Sequence, residues 1–280
     1  MQKIAIVTDS TANLTAEMLA GLPVTVLPLK IIWNGVVLRD GVDISSADFY
    51  SRLVRDQNIP TTSQVTAEEF RQAFDGLAQH FDHIFVPLIS SGISGTVDSA
   101  LSAAREFKAA KVEVFDSRET AGSLALLVMA AARMVKEGKN LEEVVKGTQA
   151  VESRMHTYFM VDTLKYLHKG GRIGGASRFL GTALGLKPIL FMNKGKIDGY
   201  EKIRTQKKAV ARLLEIIVEK GGSAPCHINI MHSDASKLAE EARAELEKKL
   251  KVVEMQVLDL SPVIGAHTGP GTLGICVYPD

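Results

Sequence analysis

Short runs of β-branched and apolar residues alternate with stretches in which apolar positions recur every three to four residues. These are the periods of buried strands and of amphipathic helices. In the first half, strands are predicted over residues 3–8, 24–32, 83–88 and 112–115. Residues 36–38 are expected to fold back on the end of 24–32 through the Asn34–Gly35 turn. Helices are predicted over 46–54, 68–77, 96–107, 119–136 and 141–153. Thr66 and Glu69 form a capping box for 68–77, each satisfying an orphan amide of the other, and Asn140 caps 141–153. The longest apolar stretch, 121–135, is interrupted by Ser123 and Arg133 and has the length of a buried helix, not of a membrane span.

The second half changes character. Strands are predicted over 157–161, 227–231, 252–258 and 272–277, with a hairpin of 187–193 and 196–203 around Asn193–Gly195. Helices are predicted over 179–184, 209–220 (closed by Gly221–Gly222) and 235–250. Residues 169–175 hold four glycines in seven positions and read as a loop. The whole predicts two α/β domains, 1–158 and 159–280. The first carries a mostly parallel sheet covered by helices. A ligand site is expected between the domains, because α/β folds build sites at strand C-termini and domain junctions.

Composition narrows the function. In 280 residues, 33 Lys and Arg nearly balance 32 Asp and Glu, for a formal charge of +1. No positive field argues for nucleic acid, so no nucleic-acid partner is expected. Cys226 and Cys276 have no metal-ligand spacing and read as a buried reduced pair. With no export signal in the sequence, the expected location is cytoplasmic. No Gly-x-Ser-x-Gly elbow, His-Glu-x-x-His or carboxylate cluster appears, so neither a metal nor another cofactor is expected.

Four polar clusters follow predicted strands. Asp9-Ser-Thr11 reads as a turn with a cap or as a direct ligand contact; the cap leaves Ser10 partly unexplained, and Ser10 is a candidate ligand-binding residue. Thr62 and Ser63 lie upstream of the Thr66 capping box, in an extended segment set by Pro60, so their hydroxyls are spare. Ser90 to Thr96 is a Ser/Gly loop leading into a helix. There Ser94 and Gly95 can meet a small anion, or Ser94 can act as a plain cap. It is neither a nucleotide P-loop nor a dinucleotide fingerprint. Gly265 to Gly271 is a Gly/Pro loop carrying His267, suited to a ligand or switch role. Arg172, among glycines, and Arg204, at a strand-to-helix turn, add exposed charge. Leu29, Ile31, Ile93, Leu124 and Val128 are candidate apolar walls.

In this order and spacing, Val7-Thr-Asp-Ser-Thr11, Arg39-Asp-Gly-Val-Asp-Ile44, Thr62-Ser-Gln64, Ser91-Gly-Ile-Ser-Gly-Thr96, Lys169-Gly-Gly-Arg-Ile173, Lys187-Pro-Ile-Leu190, Arg204-Thr205 with Lys207-Lys208, and His267-Thr-Gly-Pro-Gly271 resemble the DegV family. Its best-studied branch is the fatty-acid-binding subunit FakB. The resemblance covers nearly the whole chain. It implies two α/β domains with a long-chain fatty acid between them and a carboxylate near Thr62, Ser94 and His267. It also implies a surface containing Arg172 and Arg204 that meets a fatty acid kinase. Gln206 and Gly174 depart from the residues the family commonly has there. The implied protein is a carrier in lipid transport and phospholipid metabolism, not an enzyme, and its cargo allows transient membrane contact. The residues alone leave open an enzyme acting on a small anionic substrate, or a binder of a different lipid-like acid.

Overall fold

The computed structural model describes residues 2–56, 58–181 and 185–280. The chain opens with β1 (Ile4–Asp9), a 3-10 turn (Ser10–Ala12) and α1 (Ala16–Leu19), followed by β2 (Val24–Leu27), β3 (Lys30–Trp33) and β4 (Val36–Arg39). Next come α2 (Ser46–Arg55), β5 (Thr61–Ser63), α3 (Ala67–Ala78), β6 (His83–Leu88), α4 (Thr96–Glu106), β7 (Lys111–Asp116), α5 (Ala121–Lys136) and α6 (Leu141–Glu152). The second half contains β8 (His156–Met160), α7 (Lys165–Lys169), a 3-10 helix (Gly174–Phe179), β9 (Lys187–Asn193) and β10 (Lys196–Ile203). It continues with α8 (Gln206–Gly221), β11 (Pro225–His232), α9 (Ser236–Glu247), β12 (Lys251–Asp259), α10 (Pro262–Thr268) and β13 (Leu273–Pro279).

A four-stranded sheet, ordered β2-β1-β6-β7, is parallel throughout. Its central strand β1 is buried at every position, as the unbroken apolar run predicts for a sheet covered on both faces. Helices α3 with α4, and α5 with α6, pack in pairs against it. The predicted Thr66–Glu69 capping box forms, and Asn140 caps α6 as expected, with Glu143 completing a second box there. A six-stranded mixed sheet runs β10-β9-β8-β13-β11-β12, and a three-stranded antiparallel sheet runs β4-β3-β5.

Helix α5 also contacts β11 and β13 of the six-stranded sheet. It is therefore apolar nearly all round, with residues 121–128 and 130–132 buried, as a helix enclosed by two layers must be. The main hydrophobic core reaches from the first half into Met231, Val263, Ile264 and Cys276 of the second. The division expected between residues 158 and 159 falls inside β8.

Three elements differ from the sequence reading. The run 24–32 is two strands in two sheets, β2 and β3. Pro28 has no N–H for a ladder, and the Leu29 amide that follows donates to Ser10 Oγ at 3.0 Å. The expected loop around His267 is helix α10. Ser261 caps it, Pro262 occupies its first turn, and Gly269 ends it at φ +76°, the order of signals that starts and stops a helix. Tyr50 of α2 packs over Gly265, where a Cβ would collide with its ring, and Tyr50 Oη donates to Leu260 O at 3.0 Å. Finally, of the predicted helix 179–184, Phe179 ends a 3-10 helix and 180–181 form a turn; positions 182–184 lie outside the described residues.

Candidate functional site

A cavity opens where β5, the loop after β6 and the start of α5 face β8, β11 and α10. Leu29, Ile89, Ile93 and Ala121 form walls from the first half, and Phe159, Leu167, Met192, Ile197, Met231, Leu260, Val263 and Ile264 form walls from the second. The empty space between them, solvent at the mouth included, is about 910 Å³. Of the candidate apolar walls, Leu29 and Ile93 line it. Ile31, Leu124 and Val128 do not: they are fully buried in the main core, the commoner fate of such residues.

The polar part of the lining comprises Thr62, Ser63, Gln64, Ser94, Arg172 and His267, together with threonines deeper in the walls. Thr62 lies on β5, whose pairing with β3 holds it opposite Ile31. Its Oγ1 meets His267 Nε2 at 2.8 Å. Because Thr66 supplies the cap of α3, Ser63 is free of that duty, and among the described residues its hydroxyl has no protein partner. Gln64 Nε2 donates to Gly95 O at 3.3 Å and to Ser99 Oγ at 3.1 Å.

Ser94 both lines the cavity and leads into α4: its Oγ accepts from Thr96 N at 3.3 Å and pairs with Thr96 Oγ1 at 2.8 Å. Gly95, the residue that begins α4, is not part of the cavity lining. The Gln64 amide packs where its Cβ would be. Ser10 does not reach the cavity either. Its hydroxyl donates to Asp40 Oδ2 at 2.7 Å and accepts from Leu29 N, so it positions a wall residue. Burial pushes Asp40 up to about 6. Asp9, which the sequence reading treated as turn and cap, has a second task. Fully buried, it accepts from Thr11 N and Oγ1 and from Ile89 N at 2.8 Å, setting the start of the loop that carries Ser94.

His267 is mostly enclosed. Burial, and then the nearby Arg172 charge, push its pKa down to about 4, so the ring is neutral at pH 7. Its Nδ1 is buried without a hydrogen-bond partner and faces Gly170, where a Cβ would collide with it. Arg172 sits at the cavity mouth, donating from Nε to Ile93 O at 3.1 Å and from Nη1 to Gly170 O at 2.8 Å. It is thus part of the lining as well as exposed. Arg204 is exposed between β10 and α8 and lies outside the cavity lining. The two halves also meet where Ser90 Oγ donates to Gly195 O at 2.7 Å. Gly92 is needed there because a side chain would strike that same carbonyl.

The walls from the second half were not identified from sequence. Met231, Val263 and Ile264 look like ordinary core positions, and only the opposition of two sheets turns them toward a cavity. Among the described residues no helix is long and apolar enough to cross a membrane, and no three His, Cys, Asp or Glu side chains converge as metal ligands.

An α/β fold enclosing a largely apolar cavity with a hydroxyl- and imidazole-bearing mouth has the form of a small-ligand site. Comparison with known proteins places it. Residues 3–280 match the family described as "Uncharacterised protein, DegV family", and the chain belongs to that family. It is 37% identical over 278 residues to a DegV domain-containing protein of Listeria innocua, covering 98% of each. It superposes with TM-score 0.94 on the structure "Fatty Acid Binding of a DegV family Protein from Thermus thermophilus", at 34% identity over 99% of this chain and 100% of that one. The structure of DegV, a fatty acid binding protein from Bacillus subtilis, gives TM-score 0.91 at 32% identity, with 100% of both chains covered.

Proposed function

We propose that this protein is a fatty acid carrier: the acyl chain occupies the cavity, and the carboxylate rests among Thr62, Ser63, Ser94 and His267. The observation that carries the reading is the Thr62–His267 pair at the mouth of a largely apolar cavity. It is supported by relatives of the same fold that bind fatty acids. A tail of ~14 methylenes gains ~11 kcal/mol gross at ~0.8 kcal/mol per methylene, and lost ligand freedom removes a large part of it. Head-group hydrogen bonds contribute about 1 kcal/mol each. Tail burial therefore sets affinity, and the hydroxyls set orientation. A carboxylate desolvated at the mouth needs charged or hydrogen-bonded partners. The Ser63 hydroxyl, the His267 ring and the Arg172 guanidinium supply them.

No chemistry by this chain is required. In this reading it shields a detergent-like acid in the cytoplasm and collects it through transient membrane contact. It then presents the carboxylate to a fatty acid kinase for acyl-phosphate formation, a step in lipid transport and phospholipid metabolism. Arg172 and Arg204 face that partner. The cavity lies between two α/β units, 1–158 and 159–280. Native mass spectrometry of freshly purified protein tests the reading. A co-purified long-chain fatty acid is expected, and a different apolar acid, or turnover that depends on His267, would replace it.

A further inference from the structure

The cavity has a second polar station, on the wall where α5 begins beside β8. Thr120 and Thr157 both line the cavity there. Thr120 Oγ1 is buried with no hydrogen-bond partner. Thr157 Oγ1 donates its single hydrogen to Glu119 Oε2 at 2.8 Å, which leaves its lone pairs to accept. Glu119 is itself buried and also receives Ser123 Oγ at 2.8 Å. Ser123, whose hydroxyl also lies 2.6 Å from Thr120 O, Glu119 and Thr157 form a hydrogen-bonded run out of the core that ends in a free acceptor at Thr157, and Thr120 Oγ1 on the same lining is a free donor. None of them hydrogen-bonds to the residues at the mouth.

A buried hydroxyl left unmade is costly, and a purely aliphatic chain passing this wall does nothing to satisfy it. A hydroxyl on the ligand does: it accepts from Thr120 Oγ1 and donates to Thr157 Oγ1, completing both inventories. Resting on the fatty-acid reading above, we propose that the acyl chain this site accepts carries a hydroxyl group held between Thr120 and Thr157. A site built to bond a ligand hydroxyl discriminates against the analogue that lacks it more strongly than an apolar wall discriminates against added polarity.

The test is calorimetric titration of the delipidated protein with octadecanoic acid and with a positional series of monohydroxyoctadecanoic acids. One position is expected to bind at least as tightly as octadecanoic acid, and the others about tenfold or more weakly, because their hydroxyls enter apolar surroundings. Thr120→Val is expected to lower the ratio of favoured-isomer to octadecanoic acid affinity about tenfold; Thr120→Ser, which keeps the hydroxyl and serves as the folding control, preserves the ratio. The proposal is overturned if every hydroxylated isomer binds about tenfold or more weakly than octadecanoic acid to the unaltered protein, or if the favoured isomer keeps its ratio in Thr120→Val. Octadecanoic acid binding in either case leaves the carrier reading standing. Failure of both acid classes to bind overturns the two together.

Discussion

Thr62 Oγ1 and His267 Nε2 meet at 2.8 Å although 205 positions separate the residues in the chain. One stands on a three-residue strand and the other on a seven-residue helix. The bond therefore ties the three-stranded sheet to α10 across the cavity mouth. Removing the hydroxyl with Thr62→Val should weaken long-chain fatty acid binding about fivefold, the equivalent of one hydrogen bond. Circular dichroism and melting should show the fold retained. Unchanged affinity would place the carboxylate elsewhere.

Gly170 gives a steric test of the same ring. Its φ of −76° suits any residue, but a Cβ there collides with His267 Nδ1. Gly170→Ala should displace the imidazole and reduce fatty acid affinity, with ~1–3 kcal/mol of overpacking cost. Gly76→Ala, on the open side of α3, should raise the melting temperature slightly through helix propensity and leave binding unchanged. Equal behaviour of the two variants in a binding assay would show that the ring does not matter.

The depressed pKa of His267 makes a signed prediction. The folded value is about 4 against the ordinary histidine value of 6.5, so between these limits the unfolded chain binds more protons. The His267 contribution to stability is complete above pH 6.5 and is lost as the pH falls towards 4, by about 3 kcal/mol in all. Asp40 and Glu119, raised to about 6 and about 7 by burial, act with the opposite sign in an overlapping window. The check is therefore the difference between the unaltered protein and His267→Gln in denaturant titrations at pH 7 and pH 4.5. A bound carboxylate favours the imidazolium, so ligand affinity should rise as the pH falls from 7 towards 5 and flatten in His267→Gln.

Ser10→Ala should act on stability first. It strips a hydroxyl from the buried Asp40 carboxyl and from the Leu29 amide, at about 1–3 kcal/mol. Fatty acid affinity should fall only as far as Leu29 shifts. A large loss of affinity with normal stability would return Ser10 to the carboxylate.

The two arginines should separate. Arg172→Ala should lower fatty acid affinity and relieve the depression of the His267 pKa, since the Arg172 charge contributes to it. Proton resonances of the ring followed through a pH series would report the shift. Arg204→Ala, outside the cavity, should leave lipid affinity unaltered and slow kinase-dependent acyl-phosphate formation, more so at low salt. Identical effects of the two substitutions would remove this division of labour.

Local physics made much of the molecule legible in the chain itself. Apolar periodicity located the strands and helices of the parallel sheet, and the Thr66–Glu69 box and the Asn140 cap marked two helix starts. The same capping logic released Thr62 and Ser63 for another task, because a cap needs only residues three apart. Tertiary structure decided the rest. Whether Ile264 or Val128 borders empty space depends on what lies opposite, and burial in a core and burial in a cavity wall demand the same side chains. Ser10 and Gly95 carry the same turn and loop signals as the lining residues, but long-range contacts with Asp40 and Gln64 direct them away from the cavity. His267 is a helical residue through local signals, the Ser261 cap, Pro262 and Gly269, but its lowered pKa comes from burial and from Arg172, which only the fold brings to it. Periodicity and capping act over a few residues and are written in sequence; desolvation and cavity shape are sums over neighbours that only the fold assembles.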